Sequence, residues 1–285
     1  IDAVRRDALF GRLDADHRAE LTGWAAAAGV DADELVSANL ALDALCSVLV
    51  TGSVGDLRMA RNMDYFPAGA LGQGTLLTLW RRPERRAVLS FGWPGYSGVV
   101  TGMNDAGVVG AVLQNAGNPG VGAAGEPATF RIRSVLEHAA DVAEAARRCR
   151  EQPVASAHFI VFADRREARK LWYDGAWHEV AFADGRLTCT NAPHDADGRQ
   201  RDERTPTLAA VPVDADAAAL RQALAAVHLA RINAQAMVFR PARRSLQLAL
   251  ADWAQPAVRA PWRELDCGAL LDGGGADTLA VTPVP

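Results

Sequence analysis

Residues 45–65 read LCSVLVTGSVGDLRMARNMDY, two short apolar runs around a glycine-containing turn. Cys46 to Val50 is apolar and β-branched, Gly52 to Asp56 supplies turn chemistry, and Leu57 to Arg61 reads as a second strand, so the chain doubles back as a β-hairpin. The return strand brings Arg61 and Asp64 towards the thiol of Cys46. A thiol attacks only as thiolate, and a neighbouring cation or amine base lowers its pKa from about 8.5 into the working range. An activated thiol at Cys46 is therefore the expectation. The competing reading makes Cys46 a small core residue at the start of a buried strand, a common place for a free cysteine.

At 285 residues and 49% hydrophobic content, the chain can bury one large core or two modest ones. A net charge of −4 offers no footprint for nucleic acid or for an anionic membrane. The basic residues are almost all arginine, Lys170 being the single lysine, and alanine is abundant, the usage of a GC-rich bacterial genome. Cys46, Cys149, Cys189 and Cys267 lie far apart with no C-x-x-C pair, so neither a zinc site nor a disulfide framework is expected, and no cofactor is. No apolar run reaches the length of a membrane span. Ile1 opens without a charged and apolar leader, so the expectation is a soluble chain, cytoplasmic or exported, that begins after a removed signal or tag.

Upstream of the hairpin, residues 14–45 read as two helices. The first ends at Gly29 and the second opens at Asp31, with Glu34 three places on as a capping box. Leu35, Ala38, Leu42 and Leu45 follow at helical spacing and carry that stripe to the edge of Cys46. Downstream, strands are expected over Thr75 to Trp80, Ala87 to Phe91, Val99 to Met103 and Val108 to Leu113. GWPGYSG at 92–98 fits neither a serine elbow nor a phosphate loop and reads as a turn. A helical stretch follows from Pro127 to Arg150, with Ile132, Val135, Leu136, Ala139, Ala143 and Ala146 as its stripe, Asp141 and Glu144 as a restart, and Cys149 in the core. Strands return at His158 to Ala163, Ala168 to Tyr173 and Trp177 to Phe182. RLTCTNAPHD then ends a strand at Thr190 and Asn191, a helix spans 216–231, and MVFRPARRSLQLAL reads as two strands joined at Pro241 to Arg244 in a hairpin. His138 lacks a metal partner at i+4, and Cys189 and His194 lack a second ligand pair. The GGGAD run at 273–277 reads as flexible backbone.

ELVSANLALDALCSVLV followed by ARNMDY resembles the junction in the cysteine N-terminal-nucleophile hydrolases: the acid ceramidase and N-acylethanolamine acid amidase group, the isopenicillin N acyltransferase group and, more distantly, the choloylglycine hydrolases. ELTGWAAAAGVDADELVSANL is similar to the small subunit of these proteins, TGMNDAGVVGAVLQN to their GMN block, and CTN at 189–191 to their TN block. One departure is Cys189, where the family more often has histidine. The resemblance implies an α+β fold of αββα type, a four-layer sandwich of two antiparallel sheets between helical layers. It implies residues 1–45 as a helical propeptide or small subunit and 46–285 as the catalytic part, separated by self-cleavage between Leu45 and Cys46, so that the product is a heterodimer of two fragments.

The chemistry so implied has Cys46 as nucleophile, its freed α-amine as base, Asp64 anchoring that amine, Arg61 supporting the thiolate, and Asn191 with Asn115 or a backbone N–H holding the oxyanion. Gln114 competes with Asn115, by spacing against residue type, and adjacent strand residues point to opposite faces, so only one serves. Capping before Gly117 is the bland role for either amide. The expected reaction is cleavage of a small non-peptide acyl amide through a thioester. Acyl transfer to an amine acceptor is the alternative, and a non-catalytic, uncleaved use of the fold is the third reading.

Overall fold

The computed structural model describes residues 1–40, 44–116, 125–155, 157–195, 200–273 and the backbone of 281–283. Three helices lead: α1 (Ala3–Phe10), α2 (Ala15–Ala28) and α3 (Ala32–Leu40). Gly29 ends α2 in the left-handed region at φ 66°, and the Asp31 carboxylate accepts the Glu34 N–H (3.0 Å), both as expected. The predicted stripe on α3 is corrected. Val36 and Asn39 are its buried residues, Leu35 is half-buried, Ala38 is exposed, Leu45 belongs to a strand, and Leu42 lies outside the described residues. The reason is a polar contact: Asn39 turns inward to accept the Ser97 N–H (2.6 Å) and donate to the Gly95 carbonyl (2.8 Å). α1 had no counterpart in the sequence reading.

β1 (Leu45–Thr51) and β2 (Arg58–Asp64) form the predicted hairpin, with Leu45 opposite Asp64 and Val48 opposite Arg61. Gly52 at φ 128° makes the turn, and a Cβ there would lie 2.7 Å from the Asp56 carbonyl oxygen. Then follow α4 (Ala68–Gln73), β3 (Leu76–Trp80), β4 (Val88–Gly92), β5 (Thr101–Asn104), β6 (Val109–Gln114), α5 (Ala128–Leu136), α6 (Val142–Cys149), β7 (His158–Ala163), β8 (Ala168–Tyr173), β9 (Trp177–Ala181) and β10 (Arg186–Cys189). After these come α7 (Arg204–Ala209), α8 (Ala217–Val227), β11 (Asn233–Arg240), β12 (Ser245–Leu250), β13 (Arg263–Asp266), α9 (Cys267–Leu271) and β14 (Val281–Pro283). The helix expected over 216–231 stops at Val227, because His228 turns to extended backbone. The stripe expected to run through Ala143 restarts out of phase. Asp141 caps a new helix, and Val142, Ala145, Ala146 and Cys149 are buried while Ala143 is exposed.

One sheet runs β10-β1-β2-β11-β12-β13-β14 and the other β3-β4-β5-β6-β7-β8-β9, every pair antiparallel. The predicted β11–β12 hairpin forms but does not close the first sheet; β13 and β14 extend it. Alternation along β1 sorts the layers. Cys46, Val48 and Val50 pack between the sheets, while Leu49 packs outward with Leu220 and Leu224 of α8. On β2, Met59 and Met63 face inward and Ala60 outward, and Asn62 donates to the Leu224 carbonyl of α8 (2.8 Å). Being covered on both faces, these strands are apolar almost throughout rather than alternating. α5 and α6 cover the second sheet, which completes the αββα sandwich. Among the described residues, no helix is long and apolar enough to cross a membrane.

The N-terminal helices are fastened to this body by charge as well as by packing. Leu13, Leu21 and Val36 form a small cluster with Phe130 of α5. Beside it Arg133, wholly buried, donates to Glu20 (2.7 and 2.8 Å), to Glu137 (3.1 Å) and to the Ser97 carbonyl (2.9 Å), with its guanidinium 3.7 Å over the Trp80 ring. Trp80 also stacks on Trp24 of α2. Gly92 ends β4 and residues 93–98 make the expected turn, where this segment docks through Asn39.

Candidate active site

Cys46 is the second residue of β1, facing the opposite sheet, with no solvent exposure. Because Val48 pairs with Arg61, the Arg61 side chain enters the same inter-sheet space, and its Nη2 lies 3.2 Å from Cys46 Sγ. The same guanidinium donates to the Val100 and Val112 carbonyls of the facing sheet (2.8 Å each), so a buried cation is held by two neutral acceptors and a sulfur. The expected depressed thiol pKa is not what this environment produces. Burial pushes the Cys46 thiol up, and the Arg61 charge offsets this only in part, with Asp64 adding to the rise. With the chain continuous through Leu45, the site stores a protonated thiol.

The Cys46 backbone N–H donates to Asn191 Oδ1 (2.8 Å), while Asn191 Nδ2 donates to the Gln114 carbonyl (2.8 Å). Asn191 thus sits one hydrogen bond from the nucleophile candidate, as the TN block suggested, but its donor is engaged by Gln114 rather than turned to a carbonyl at the Leu45–Cys46 bond. The pairing of β1 with β10, Val48 opposite Cys189, places it there. Ala116 N–H donates to the Asn191 carbonyl (2.9 Å) and Gln114 N–H to the Ala44 carbonyl (3.2 Å), so residues 114–116 bracket the junction with their backbone. Asn115 is buried, its N–H on the Ala157 carbonyl (2.8 Å) and its Oδ1 without a partner among the described residues. No hydrogen bond links the side chain of Asn115 or Gln114 to Cys46 among the described residues. Gly117 lies outside them.

Asp64, opposite Leu45, is buried. Its Oδ1 accepts from Asn233 Nδ2 (2.9 Å), and Oδ2 has no partner among the described residues. Burial pushes its carboxyl up to about 6 despite Asn233 and the nearby arginines.

Two residues had escaped notice. Arg204, at the start of α7, donates to the Cys46 carbonyl (3.0 Å) and to Asn191 Oδ1 (3.1 Å), and is itself gripped by Asp202 (2.7 and 2.9 Å). Asn233, the first residue of β11, orients Asp64 and accepts the Val258 N–H (3.0 Å). Neither carries a local motif; only the approach of segments some 160 residues apart brings them to Cys46 and Asp64. Cys149, Cys189 and Cys267 are free and buried, and His194 stacks on Trp172 with ring centroids 4.2 Å apart.

Two facing antiparallel sheets between helical layers, with these side chains at the head of an interior strand, define the N-terminal-nucleophile class of amidohydrolases and acyltransferases. Similar solved structures include the Caenorhabditis elegans ortholog of N-acylethanolamine-hydrolyzing acid amidase, 18% identical over 75% of this chain and 98% of that one, with a TM-score of 0.55. Two variants of conjugated bile acid hydrolase from Clostridium perfringens are 12% identical over 84–85% of this chain and 97% of theirs, with TM-scores of 0.56 and 0.50. No curated protein sequence gives a significant match. The sequence profile of the acyl-coenzyme A:6-aminopenicillanic acid acyl-transferase family matches residues 50–205, more than half of the chain, and the protein belongs to that family. It is an enzyme of the amide-cleaving or acyl-transferring type. The matched span contains Arg61, Asp64, Asn115, Asn191 and Arg204 and begins just after Cys46.

Proposed function

We propose that the protein is a self-processing amidase whose nucleophile is Cys46, acting on a small non-peptide acyl amide. The observation that carries this reading is the double grip on one residue: Cys46 Sγ on Arg61 at 3.2 Å and Cys46 N–H on Asn191 at 2.8 Å. In maturation the thiol attacks the Leu45 carbonyl, the Leu45–Cys46 C–N bond breaks, and the acyl group moves from nitrogen to sulfur. Water then hydrolyses the thioester, leaving a carboxylate on Leu45 and a free amine on Cys46. Residues 1–45 become a helical subunit held by Arg133 and Asn39, and 46–285 the catalytic one.

The freed amine, with a pKa near 8, takes the thiol proton, so the nucleophile carries its own base. Asp64, whose free oxygen has no other occupant among the described residues, faces the amine and favours its charged form. The thiolate attacks the substrate carbonyl, and the second Nδ2 hydrogen of Asn191, beyond the one given to the Gln114 carbonyl, supports the oxyanion with Asn115 or a backbone N–H. A donor of this kind lowers the barrier by about 3 kcal/mol. The leaving amine departs with the proton from the α-ammonium, and water releases the acid from the thioester. Arg204 holds the Cys46 carbonyl and the Asn191 amide in register throughout.

Acyl transfer is the second reading, favoured by the description of the matching family. There an amine acceptor, rather than water, takes the acyl group from Cys46. The intact masses of the parent and of Cys46→Ala test the scheme. Two fragments divided before Cys46 in the parent, and one chain in the variant, are expected. Competition between water and added amines for the acyl-enzyme then separates hydrolysis from transfer. A parent that stays whole for days at mildly acid and neutral pH, and turns over no acyl amide, would overturn the proposal.

A further inference from the structure

β10 is the edge strand of the first sheet and β9 that of the second, and a cavity of about 740 Å³ lies beside them. That volume falls within the range of small-molecule sites. None of Cys46, Arg61, Asp64 or Asn191 lines it. Val180, Ala181, Leu187 and Pro206 give it apolar walls, and Lys170 of β8 stands in its inner wall.

Lys170 is 4% exposed, and its ammonium donates to the Thr188 carbonyl (3.3 Å) and to Gln200 Oε1 (3.2 Å), both neutral and both distant. An ammonium has three donors, and among the described residues the third meets no acceptor and no carboxylate pairs with the group. Asp202 lines the same cavity, but both its oxygens are committed to Arg204. The neighbouring Cys189 thiol supplies no charge, since burial pushes it up to about 12. Burial also holds Lys170 below the usual lysine pKa, the mark of a cation without a counter-charge. The ammonium thus meets only neutral groups, the two acceptors and the Phe159 ring 5.8 Å away, and the catalytic scheme gives this cation no task.

We propose that this cavity binds a small organic carboxylate with an apolar body, the carboxylate pairing with Lys170 and the body lying against Val180, Ala181, Leu187 and Pro206. The site has a route to the catalytic centre. Gln200 accepts the Thr190 N–H (3.1 Å) and donates to the Thr190 (3.0 Å) and Ala192 (2.7 Å) carbonyls, so it holds the turn that carries Asn191 from behind. A carboxylate that draws the ammonium from Gln200 acts on that turn, and so couples the cavity to Asn191 to the extent that it binds the two arrangements differently.

Octanoate is the probe, titrated calorimetrically into the full chain carrying Cys46→Ala. Saturable binding at one site is expected. It should weaken at least about tenfold in Lys170→Met, the loss of a charge-assisted contact, and by a similar factor for octan-1-ol and octylammonium. Val180→Trp, opposite Lys170 in the β8–β9 register, fills the cavity from β9 while keeping the ammonium, and should abolish binding while circular dichroism stays that of the parent. No saturable heat with millimolar octanoate would overturn the proposal. So would binding that survives both Lys170→Met and Val180→Trp, or that Asn191→Ala abolishes while those two variants keep it, since the acid would then occupy the catalytic centre. Calorimetry needs no turnover, so this outcome stands apart from that of the amidase reading.

Discussion

Asp64→Asn, made in a Cys46→Ala background, isolates the cost of burying a carboxylate with one oxygen unpartnered among the described residues. Oδ1 receives Asn233 at 2.9 Å and Oδ2 has no partner among the described residues, so ionising the group puts a poorly compensated charge between packed layers. Burial accordingly pushes its pKa from 3.8 to about 6. An acid with a raised pKa in the folded state stabilises the fold in its protonated form. That contribution is fully present below the unfolded value of 3.8 and is lost as pH rises through about 6. A carboxyl moved from 3.8 to about 6 carries roughly 3 kcal/mol in full. Asn keeps the oxygen that accepts from Asn233 but cannot ionise. Urea unfolding at about pH 4 and about pH 7 should show the Cys46→Ala protein losing roughly 2 kcal/mol more than the Asp64→Asn double variant, since the unfolded carboxyl is already partly ionised at pH 4. Taking the difference between the two proteins cancels groups that titrate in both, such as Glu126, which burial raises to about 7. Equal pH dependence in the two proteins would refute the reasoning, because it would mean that water or another group already compensates the Asp64 charge. In a cleaved chain the new ammonium supplies that compensation, and the pH dependence assigned to Asp64 should shrink or change sign.

Other expectations follow from neighbouring contacts. Arg204→Met leaves the Cys46 carbonyl and Asn191 Oδ1 without their guanidinium; turnover should fall by about a hundredfold with the circular dichroism spectrum unchanged, as measured in steady-state kinetics of the processed enzyme. Asn191→Ala should lower kcat by about 10²–10³, read by steady-state assay with KM little altered. Arg133→Met removes the buried guanidinium from Glu20 and Glu137, which keep Arg82 and Arg85, and should destabilise by about 1–3 kcal/mol, seen as a lower urea midpoint. With no exposure, Cys46 in the unprocessed chain should resist iodoacetamide while the fold persists, and quantitative labelling under native conditions would contradict its burial.

The local grammar of the chain fixed a good deal by itself. Two apolar runs about Gly52 dictate a hairpin, and antiparallel register then obliges Arg61 to share a face with Cys46, so that contact was readable from spacing. Gly29, Asp31 and Asp141 mark helix ends through backbone sterics and side-chain capping, interactions that span only a few residues. The stripe on α3 misled because hydrophobic spacing could not foresee that Asn39 would be drawn inward by Ser97 and Gly95, more than fifty residues away.

What the tertiary structure alone decided is the electrical character of the site. The sequence placed a cation beside a thiol and so suggested a lowered pKa. Packing between two sheets removed the water, and desolvation outweighs the charge of Arg61. Arg204, Asn233 and Gln200 reach Cys46, Asp64 and the Asn191 turn only because separate strands and helices converge there, and no periodicity records such a meeting. Short-range order follows from which residues are neighbours in the chain; burial, and with it every pKa in this site, depends on which become neighbours in space.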